Sequence, residues 1–389
     1  MDRRNEILKY ISKDQLGIEI GPYHSPLTPK RQGYNCLVMD VFDGQTIRAR
    51  AAENPALSDD KRSAIEDVDL VGPCTHIDRL VEKHGHLGQF DYIVSSHNFE
   101  HLPNPIRFLQ GCAKVLKPGG VISMAIPDRR ACYDYFRPFS RLADWLDAWF
   151  QDRSRPTLAQ AFDDQWVRAS YDHHGVPHGS FFLGADPKLV SSGMTIEKDF
   201  LLWKERLANS DEQYYDAHCS VFTPATLELL LRDSAYLGLI EFEVVEISSS
   251  PGVDIFVHLR SIASENSARP GDYRLIRDAL LHRALDEGAR ASTIGFFNER
   301  HDVLAMRSEN EKSQENLSTL DAVRKELDIV RSELVSVRAA LKDSKDQEEM
   351  ARRDAQLLGS TVSELYNSTS WHITAPIRAL KRAIKRSAA

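Results

Sequence analysis

The sequence has no apolar run of the roughly 18–20 residues that a membrane-spanning helix needs. Its first residues, MDRRNEILKYISK, also lack the long apolar core of a secretory signal. Cysteine is scarce, with five in 389 residues and no C-x-x-C pair. A disulfide framework and a zinc knuckle are therefore disfavoured, and reduced thiols are expected. We predict a cytoplasmic protein without membrane-spanning segments.

Charge is unevenly distributed along the chain. The formal net charge is −8, yet residues 371–389 contain five basic side chains and no acidic one. The rest of the chain is therefore acidic, which argues against a nucleic-acid partner. With 42% hydrophobic residues the chain has ample material for a core, and its length indicates two or three structural units.

Short apolar runs alternate with helical patterns over the first 130 residues. Buried strands are predicted at Leu16–Ile20, Cys36–Asp40, Asp91–Ser95 and Val121–Ile126. A helix that opens at Asn104 separates the last two. This alternation predicts an α/β fold with a Rossmann-like, doubly wound parallel sheet. A helix near Thr223–Leu239 and strands near Phe242–Glu246 and Ile255–Leu259 extend it.

Residues 131–215 break this rhythm. They are rich in aromatic and charged residues and show no strand pattern. We predict a mostly helical insertion on the substrate side, over the carboxyl edge of the sheet.

Polar residues and glycine cluster where the predicted strands end. Glu19, Gly21 and Pro22 lie in the run LGIEIGPYHSP, and Asp40 ends the second strand. Ligands of such sheets bind at this edge, where the strand order reverses. Gly21 lets the backbone approach a ligand, and Asp40 suits paired ribose hydroxyls. Glu19 either organises the turn or accepts a hydrogen bond from the ligand's amino group.

The motifs GIEIGP, the acidic strand end at Asp40, FDYIVSSHNFEHLPNP and LKPGGVISMAIP follow one another in order. Together they resemble class I S-adenosylmethionine-dependent methyltransferases, in particular the bacterial group that methylates small molecules and sugars. The resemblance is close over residues 15–130 and weak over 216–260. It implies an S-adenosyl-L-methionine cofactor and a last strand of reversed direction. It also implies cofactor contacts at Glu19, Gly21, Pro22, Asp40, Ser95, Ser96 and His97.

Methyl transfer to a hydroxyl group benefits from a general base, usually histidine near neutral pH. We predict His218 as this base and Asp216 as its orienting partner, because alternate residues of an extended segment share a face. The alternative is a polar loop before the helix at Thr223. His97 is the second catalytic candidate, and packing against the cofactor is its other interpretation. The neighbouring Glu100-His101 pair is interpreted as structural.

A further group, Asp172-His173-His174 with His178, lacks the ligand spacing of zinc motifs. A solvated or substrate-facing loop is the better interpretation. No metal site is predicted.

These features divide the chain into a methyltransferase domain at 1–262, a helical linker at 263–316, a coiled coil at 317–366 and a basic amphipathic tail at 367–389. An apolar a/d heptad runs from Leu320 to Leu365, which is typical of an oligomeric coiled coil. A solitary long helix is the alternative. We expect a homo-oligomer.

In the tail, Ile377, Leu380 and Ile384 share one face of a predicted helix, and cations cover much of the remainder. Trp371 adds an interfacial aromatic. This composition is typical of a helix that lies on anionic lipid or docks on an acidic partner, such as a membrane-bound glycosyltransferase. The tail also resembles the SxSWxxTxPxR segment that ends many bacterial enzymes of surface-polysaccharide synthesis. Peripheral attachment at the inner face of the cell membrane follows as an expectation.

Two functional hypotheses remain. The first is an O-methyltransferase that acts on a sugar or glycan in cell-surface polysaccharide biosynthesis. The second is a non-catalytic coiled-coil scaffold with a degenerate methyltransferase domain. Intact Glu19, Gly21 and Asp40 favour the enzyme, because a scaffold need not retain a ribose carboxylate. An NAD-dependent enzyme is disfavoured, since a pyrophosphate requires more glycines after Gly21.

Overall fold

The computed structural model describes residues 2–192, 196–208, 215–262, 273–293, 345 and 349–386. The chain divides into two compact units, Met1–Phe297 and Asn298–Ala389.

Seven strands form the central sheet in the described part of the first unit. They are β1 (Leu16–Ile20), β2 (Asn35–Asp40), β3 (Leu70–Val71), β4 (Phe90–Ser96), β5 (Leu116–Pro127), β9 (Phe242–Ser249) and β10 (Asp254–Ser261). Their order is β3-β2-β1-β4-β5-β10-β9. Strands β1 to β5 are parallel, whereas β10 is antiparallel to both of its neighbours. The predicted Rossmann-like sheet and its reversed last strand are confirmed.

Ten helices are described in the first unit. They are α1 (Arg3–Ile7), α2 (Gly44–Glu53), α3 (Asp59–Ser63), α4 (Ile77–Lys83), α5 (Pro105–Val115), α6 (Leu142–Phe150), α7 (Leu158–Trp166), α8 (Ile196–Ala208), α9 (Pro224–Tyr236) and α10 (Tyr273–Thr293). Helix α5 begins as its sequence predicts, because the Asn104 side chain accepts a hydrogen bond from the Arg107 backbone N–H at 3.0 Å. Pro105 occupies its first turn, where no N–H donor is required.

Buried side chains alternate between the two faces of the sheet. Along β4, Ile93 joins the larger core with Leu109 of α5. The adjacent Tyr92 and Val94 join a smaller core with Ile7 of α1. This period of two is what a strand buried on both faces requires.

The insertion between β5 and α9 contains a second sheet that the sequence analysis missed. Strands β6 (Ala169–His173), β7 (Val176–His178) and β8 (Val190–Ser192) pair antiparallel in the order β7-β6-β8. The insertion contains the helices α6, α7 and α8, in line with the mostly helical prediction, but these three strands were not predicted. The strands are only three to five residues long, too short for a period to stand out. Their hairpin turn has positive φ angles at His174 and Gly175, without the usual Asn-Gly signal.

Helix α6 attaches the insertion to the main core. Trp145 is 2% exposed and makes edge-to-face contacts with Phe99 and Phe222. Its indole N–H donates to the Ser220 hydroxyl at 3.2 Å. A buried Trp of this kind contributes both apolar area and a satisfied polar group, and so holds the insertion beside the sheet edge.

In the second unit, residues 349–367 are helical (α11), followed by α12 (Thr369–Ile373) and α13 (Ala375–Arg386). Most of the predicted heptad, residues 320–344 and 346–348, lies outside the described residues, so the coiled coil stays a prediction. Its described a/d residues include Leu358, Val362 and Leu365, all exposed. No helix among the described residues combines the length and apolarity needed to cross a bilayer.

The buried His258 of β10 makes stability depend on pH. Its Nδ1 lies 2.9 Å from the Ser123 hydroxyl, and burial lowers its pKa from 6.5 to about 4. At pH values between the two pKa values, His258 is therefore protonated in the unfolded chain and neutral in the folded chain. The stability that the neutral His258 contributes is lost as the pH falls. We expect a loss of about 2 kcal/mol in the free energy of unfolding between about pH 7.5 and about pH 5 from this group. His258→Gln should remove that part of the loss, as measured by chemical denaturation. Equal pH slopes in the two proteins would contradict this assignment.

Candidate active site

A cavity of about 490 Å³ opens at the carboxyl edge of the sheet. Its wall is built from the segments that follow β1, β2, β3 and β4, and includes Gly21, Asp40, Phe42, Cys74, His97 and His101. Strand order reverses between β1 and β4, so this is the position at which sheets of this type bind ligands.

Glu19 organises the loop after β1. Its carboxylate is 2% exposed and accepts from the Leu27 N–H at 2.6 Å, the Thr28 N–H at 2.8 Å and the Thr28 hydroxyl at 2.7 Å. Burial raises the pKa of Glu19, although these donors oppose the shift. Of the two roles left open by the sequence, the structure shows the organising one. Pro22 lies in the same loop, directly after Gly21.

The cavity has open space beside the Gly21 backbone and a carboxylate at Asp40. Gly21 has φ +62°, and a Cβ added there would meet no atom within 4 Å. The Asp40 carboxylate accepts from the Phe42 N–H at 3.0 Å. Burial raises the pKa of Asp40, while the backbone hydrogen bonds oppose the rise. Further donors from a ligand would lower it again.

Of the three predicted residues at the end of β4, His97 lines the cavity. Ser95 is buried within the sheet, and the Ser96 hydroxyl accepts from Arg3 at 2.7 Å. His97 has φ +52°, an uncommon left-handed conformation for this residue type. Such backbone strain marks positions that the surrounding structure holds in place.

His97 is oriented by Asp254, which the sequence analysis did not single out. His97 Nε2 lies 2.9 Å from Asp254 Oδ1, and Arg3 bonds the second carboxylate oxygen at 2.8 Å. Burial raises the pKa of Asp254, but the partners His97 and Arg3 outweigh it and keep the pKa below its usual value. Asp254 begins the antiparallel strand β10, and so reaches the edge at which the parallel strands end.

The predicted pairing of Asp216 with His218 is wrong. Asp216 Oδ1 lies 2.9 Å from His101 Nδ1, whereas His218 Nδ1 lies 2.5 Å from Asp134 Oδ2. A different residue holds the His218 backbone, because the His218 N–H donates a hydrogen bond to Asp164 at 3.0 Å. This contact turns the ring towards the acidic residues of the insertion. The catalytic role of His218 stays a prediction.

His101 was interpreted as structural but lies on the cavity wall. Burial lowers its pKa, yet the hydrogen bond to Asp216 and the charge of Glu100 outweigh burial, so the pKa of His101 is raised.

Three histidine rings converge on Glu100. Glu100 Oε1 lies 3.7 Å from His97 Nδ1, 3.8 Å from His101 Nε2 and 3.9 Å from His218 Nε2. Glu100 is 0% exposed, and neither carboxylate oxygen has a hydrogen-bond partner among the described residues. The histidines come from separate segments of the sequence, so spacing alone could find only the local His97-x-x-Glu100-His101 part.

Comparison with known proteins gives a family. A family model described as a methyltransferase domain matches residues 1–236. The ubiquinone biosynthesis O-methyltransferase of Cronobacter sakazakii is 33% identical over 58 residues, which is 14% of this chain and 24% of that protein. Its counterpart in Shewanella pealeana is 39% identical over 44 residues, or 11% and 19%. The chain thus spans about a quarter or less of the length of these curated relatives.

Solved structures are similar at low identity. A SAM-dependent methyltransferase from Aquifex aeolicus is 11% identical with a TM-score of 0.33, over 67% of this chain and 90% of that one. One from Methanosarcina mazei is 12% identical with a TM-score of 0.32, over 67% and 99%.

The family model covers well over half of the chain, including the whole wall of the 490 Å³ cavity. The chain belongs to the methyltransferase-domain family.

Proposed function

We propose that this methyltransferase methylates a hydroxyl group of a sugar or glycan in cell-surface polysaccharide biosynthesis. The observation that carries the O-methylation is the His97–Asp254 pair, because a hydroxyl acceptor must lose a proton as the new bond to carbon forms. The named activity of the curated relatives, O-methylation in ubiquinone biosynthesis, supports an oxygen acceptor as well.

A second cavity supports a polar, ring-shaped acceptor. It has a volume of about 650 Å³ and lies in the insertion, with charged residues such as Arg153 and Asp147 beside the aromatic rings of Phe162 and Trp203. Aromatic faces stack on sugar rings, and paired charges bind hydroxyl groups. Cys219 lines this cavity while Asp216, three residues earlier, lines the cofactor cavity. One short segment therefore borders both.

The residues of the first cavity fit the cofactor. The space above Gly21 admits a ligand close to the backbone, and Asp40 presents acceptors for two ribose hydroxyls. When bound, the cofactor supplies an electrophilic methyl group on a sulfonium. Asp254 holds His97 by its Nε2–H, so that Nδ1 is left as the proton acceptor. Arg3 holds the other Asp254 oxygen and keeps the carboxylate in place.

The alternative is a scaffold that binds the cofactor without using it. The exposed apolar residues of α11, among them Leu358 and Leu365, favour a partner for that helix but say nothing about turnover. A scaffold would show cofactor binding and no methylated product with nucleotide sugars, lipid-linked glycans or a quinol precursor. Methylation of the quinol alone would retain the enzyme and reject the sugar.

The two short helices α12 and α13 support attachment to anionic lipid. Ile373 and Ile377 are exposed, and the Arg378 guanidinium lies 3.5 Å from the centre of the Trp371 ring. A single short helix of this kind binds membranes weakly. Oligomerisation through the predicted coiled coil would make the second contact intramolecular and raise the apparent affinity by about 10²–10⁴-fold.

Asp40→Ala should weaken cofactor binding by about 1–3 kcal/mol, because charge-assisted hydrogen bonds to the ribose are lost. Calorimetry with S-adenosyl-L-methionine measures this. Asp67→Ala removes a largely exposed carboxylate outside the cavity wall and is the matched control. Equal affinity of wild type and Asp40→Ala would remove Asp40 from the cofactor site.

His97→Asn should lower turnover by about 10²–10⁴-fold while cofactor affinity changes little, since a lost base affects chiefly the chemical step. Asn tolerates the positive φ at this position. His86→Asn, on an exposed turn, is the control. His218→Ala is measured beside it. A large loss in His218→Ala with none in His97→Asn would return the role of base to His218.

Deletion of residues 370–389 should abolish sedimentation with anionic vesicles at low salt and leave activity on a soluble acceptor intact. Vesicles of zwitterionic lipid are the control, since they lack the charge that the cationic helix requires. If the full-length chain is monomeric and ignores anionic vesicles, the membrane proposal fails and the methyltransferase assignment stands.

A further inference from the structure

We infer that Glu100, His101 and His218 form a binding site for one divalent transition-metal ion, for which Zn²⁺ is the reference. The site lies at the wall of the cofactor cavity, because His101 lines it. Its use in catalysis rests on the proposed O-methylation, whereas binding of the ion does not.

The three ligand atoms have suitable separations. Glu100 Oε1 lies 3.8 Å from His101 Nε2 and 3.9 Å from His218 Nε2, and the whole set lies within 4.8 Å. These distances are too long for hydrogen bonds. Two atoms that each bind a zinc ion at about 2.0–2.1 Å are separated by no more than about 4 Å. Small side-chain movements would therefore bring all three ligand atoms within bonding distance of a single ion.

A second carboxylate orients each of the two histidines as a metal ligand. Asp216 faces His101 Nδ1, and Asp134 faces His218 Nδ1. An ionised carboxylate only accepts hydrogen bonds, so in the neutral, metal-binding form of each ring Nδ1 would carry the hydrogen and Nε2 would present a lone pair towards Glu100. This arrangement of carboxylate, histidine and metal is the usual support for metal-binding imidazoles.

Glu100 supplies the independent observation. Its side chain is fully buried, and both oxygens lack a hydrogen-bond partner among the described residues. A buried carboxylate without donors is costly, and the usual remedies are a charged partner or a metal ion. Its Oε1 is directed at the point where the histidine nitrogens meet.

A neighbouring group, Asp134, Asp164 and His218, is the poorer candidate. Arg137 already occupies it, with its guanidinium 2.6 Å from Asp134 and 3.7 Å from Asp164. A second cation there would be repelled. The free ring nitrogen of His218 faces Glu100 instead.

Two histidines and one glutamate leave a coordination position open, which is typical of catalytic rather than structural zinc sites. An acceptor hydroxyl would fit this position. The bound ion would lower the pKa of this hydroxyl, His97 Nδ1 would take up its proton, and its oxygen would bond to the methyl carbon. The carbon–sulfur bond would break, its electron pair would stay on sulfur, and the cofactor would leave as a neutral thioether.

The test uses the full-length protein, stripped with a chelator and then titrated with Zn²⁺ by calorimetry and with Co²⁺ by absorption spectroscopy. We expect one ion per chain. Glu100→Gln and His218→Gln should each weaken Zn²⁺ binding at least about tenfold. Asp216→Asn carries little folding risk, because this side chain is 68% exposed, and should weaken binding by about 10–100-fold. His174→Gln, on the exposed β6–β7 hairpin, is the matched control.

Several outcomes overturn the inference: no Co²⁺ absorption bands with wild type, equal Zn²⁺ affinity of wild type and Glu100→Gln, or loss of binding in His174→Gln alone. If the chelated enzyme methylates a hydroxyl acceptor at full rate and binds no ion, the inference fails and the proposed function stands. If the ion binds as expected and no hydroxyl acceptor is methylated, the site stands and the proposed function fails.

Discussion

The common direction of β1, β2, β4 and β5 decides where the candidate cofactor-binding residues of this protein lie. Parallel pairing sets Ile20 beside both Met39 and Ser95, so the residues that follow these strands emerge at one edge. The antiparallel β10 starts at the same edge, since Asp254 pairs with Pro127 at the end of β5. A strand of reversed direction thereby contributes a carboxylate to a site otherwise built from strand ends.

The insertion completes the site through a buried ionic network. Arg137 is 2% exposed, bonds Asp134 at 2.6 Å and donates to the His218 carbonyl at 2.9 Å. Buried charges are costly unless each has partners, so such a network stabilises little but permits few other arrangements. It therefore fixes the ring of His218 beside the sheet edge. Ser154 of the insertion also lines the 490 Å³ cavity.

The sequence predicted the main sheet well because its signals are local. Apolar runs, the glycine at Gly21 and the acidic end at Asp40 each lie within a few residues of the element they define. The contacts between histidines and carboxylates were not predictable in this way. Asp254 lies 157 residues from His97, and Asp134 lies 84 residues from His218. Pairing Asp216 with His218 by their spacing failed, because tertiary contacts to Asp164 and Asp134 outweighed local geometry.

The geometry around Glu100 suits a cation. Three further carboxylates, Asp134, Asp216 and Asp254, lie beside the ring nitrogens that face away from Glu100. A hydrogen bond from one of these rings to Glu100 would require a contact of about 2.7–3.2 Å. The observed separations of 3.7–3.9 Å are longer. The spacing that leaves Glu100 without a donor is thus the spacing that an ion between these groups would need.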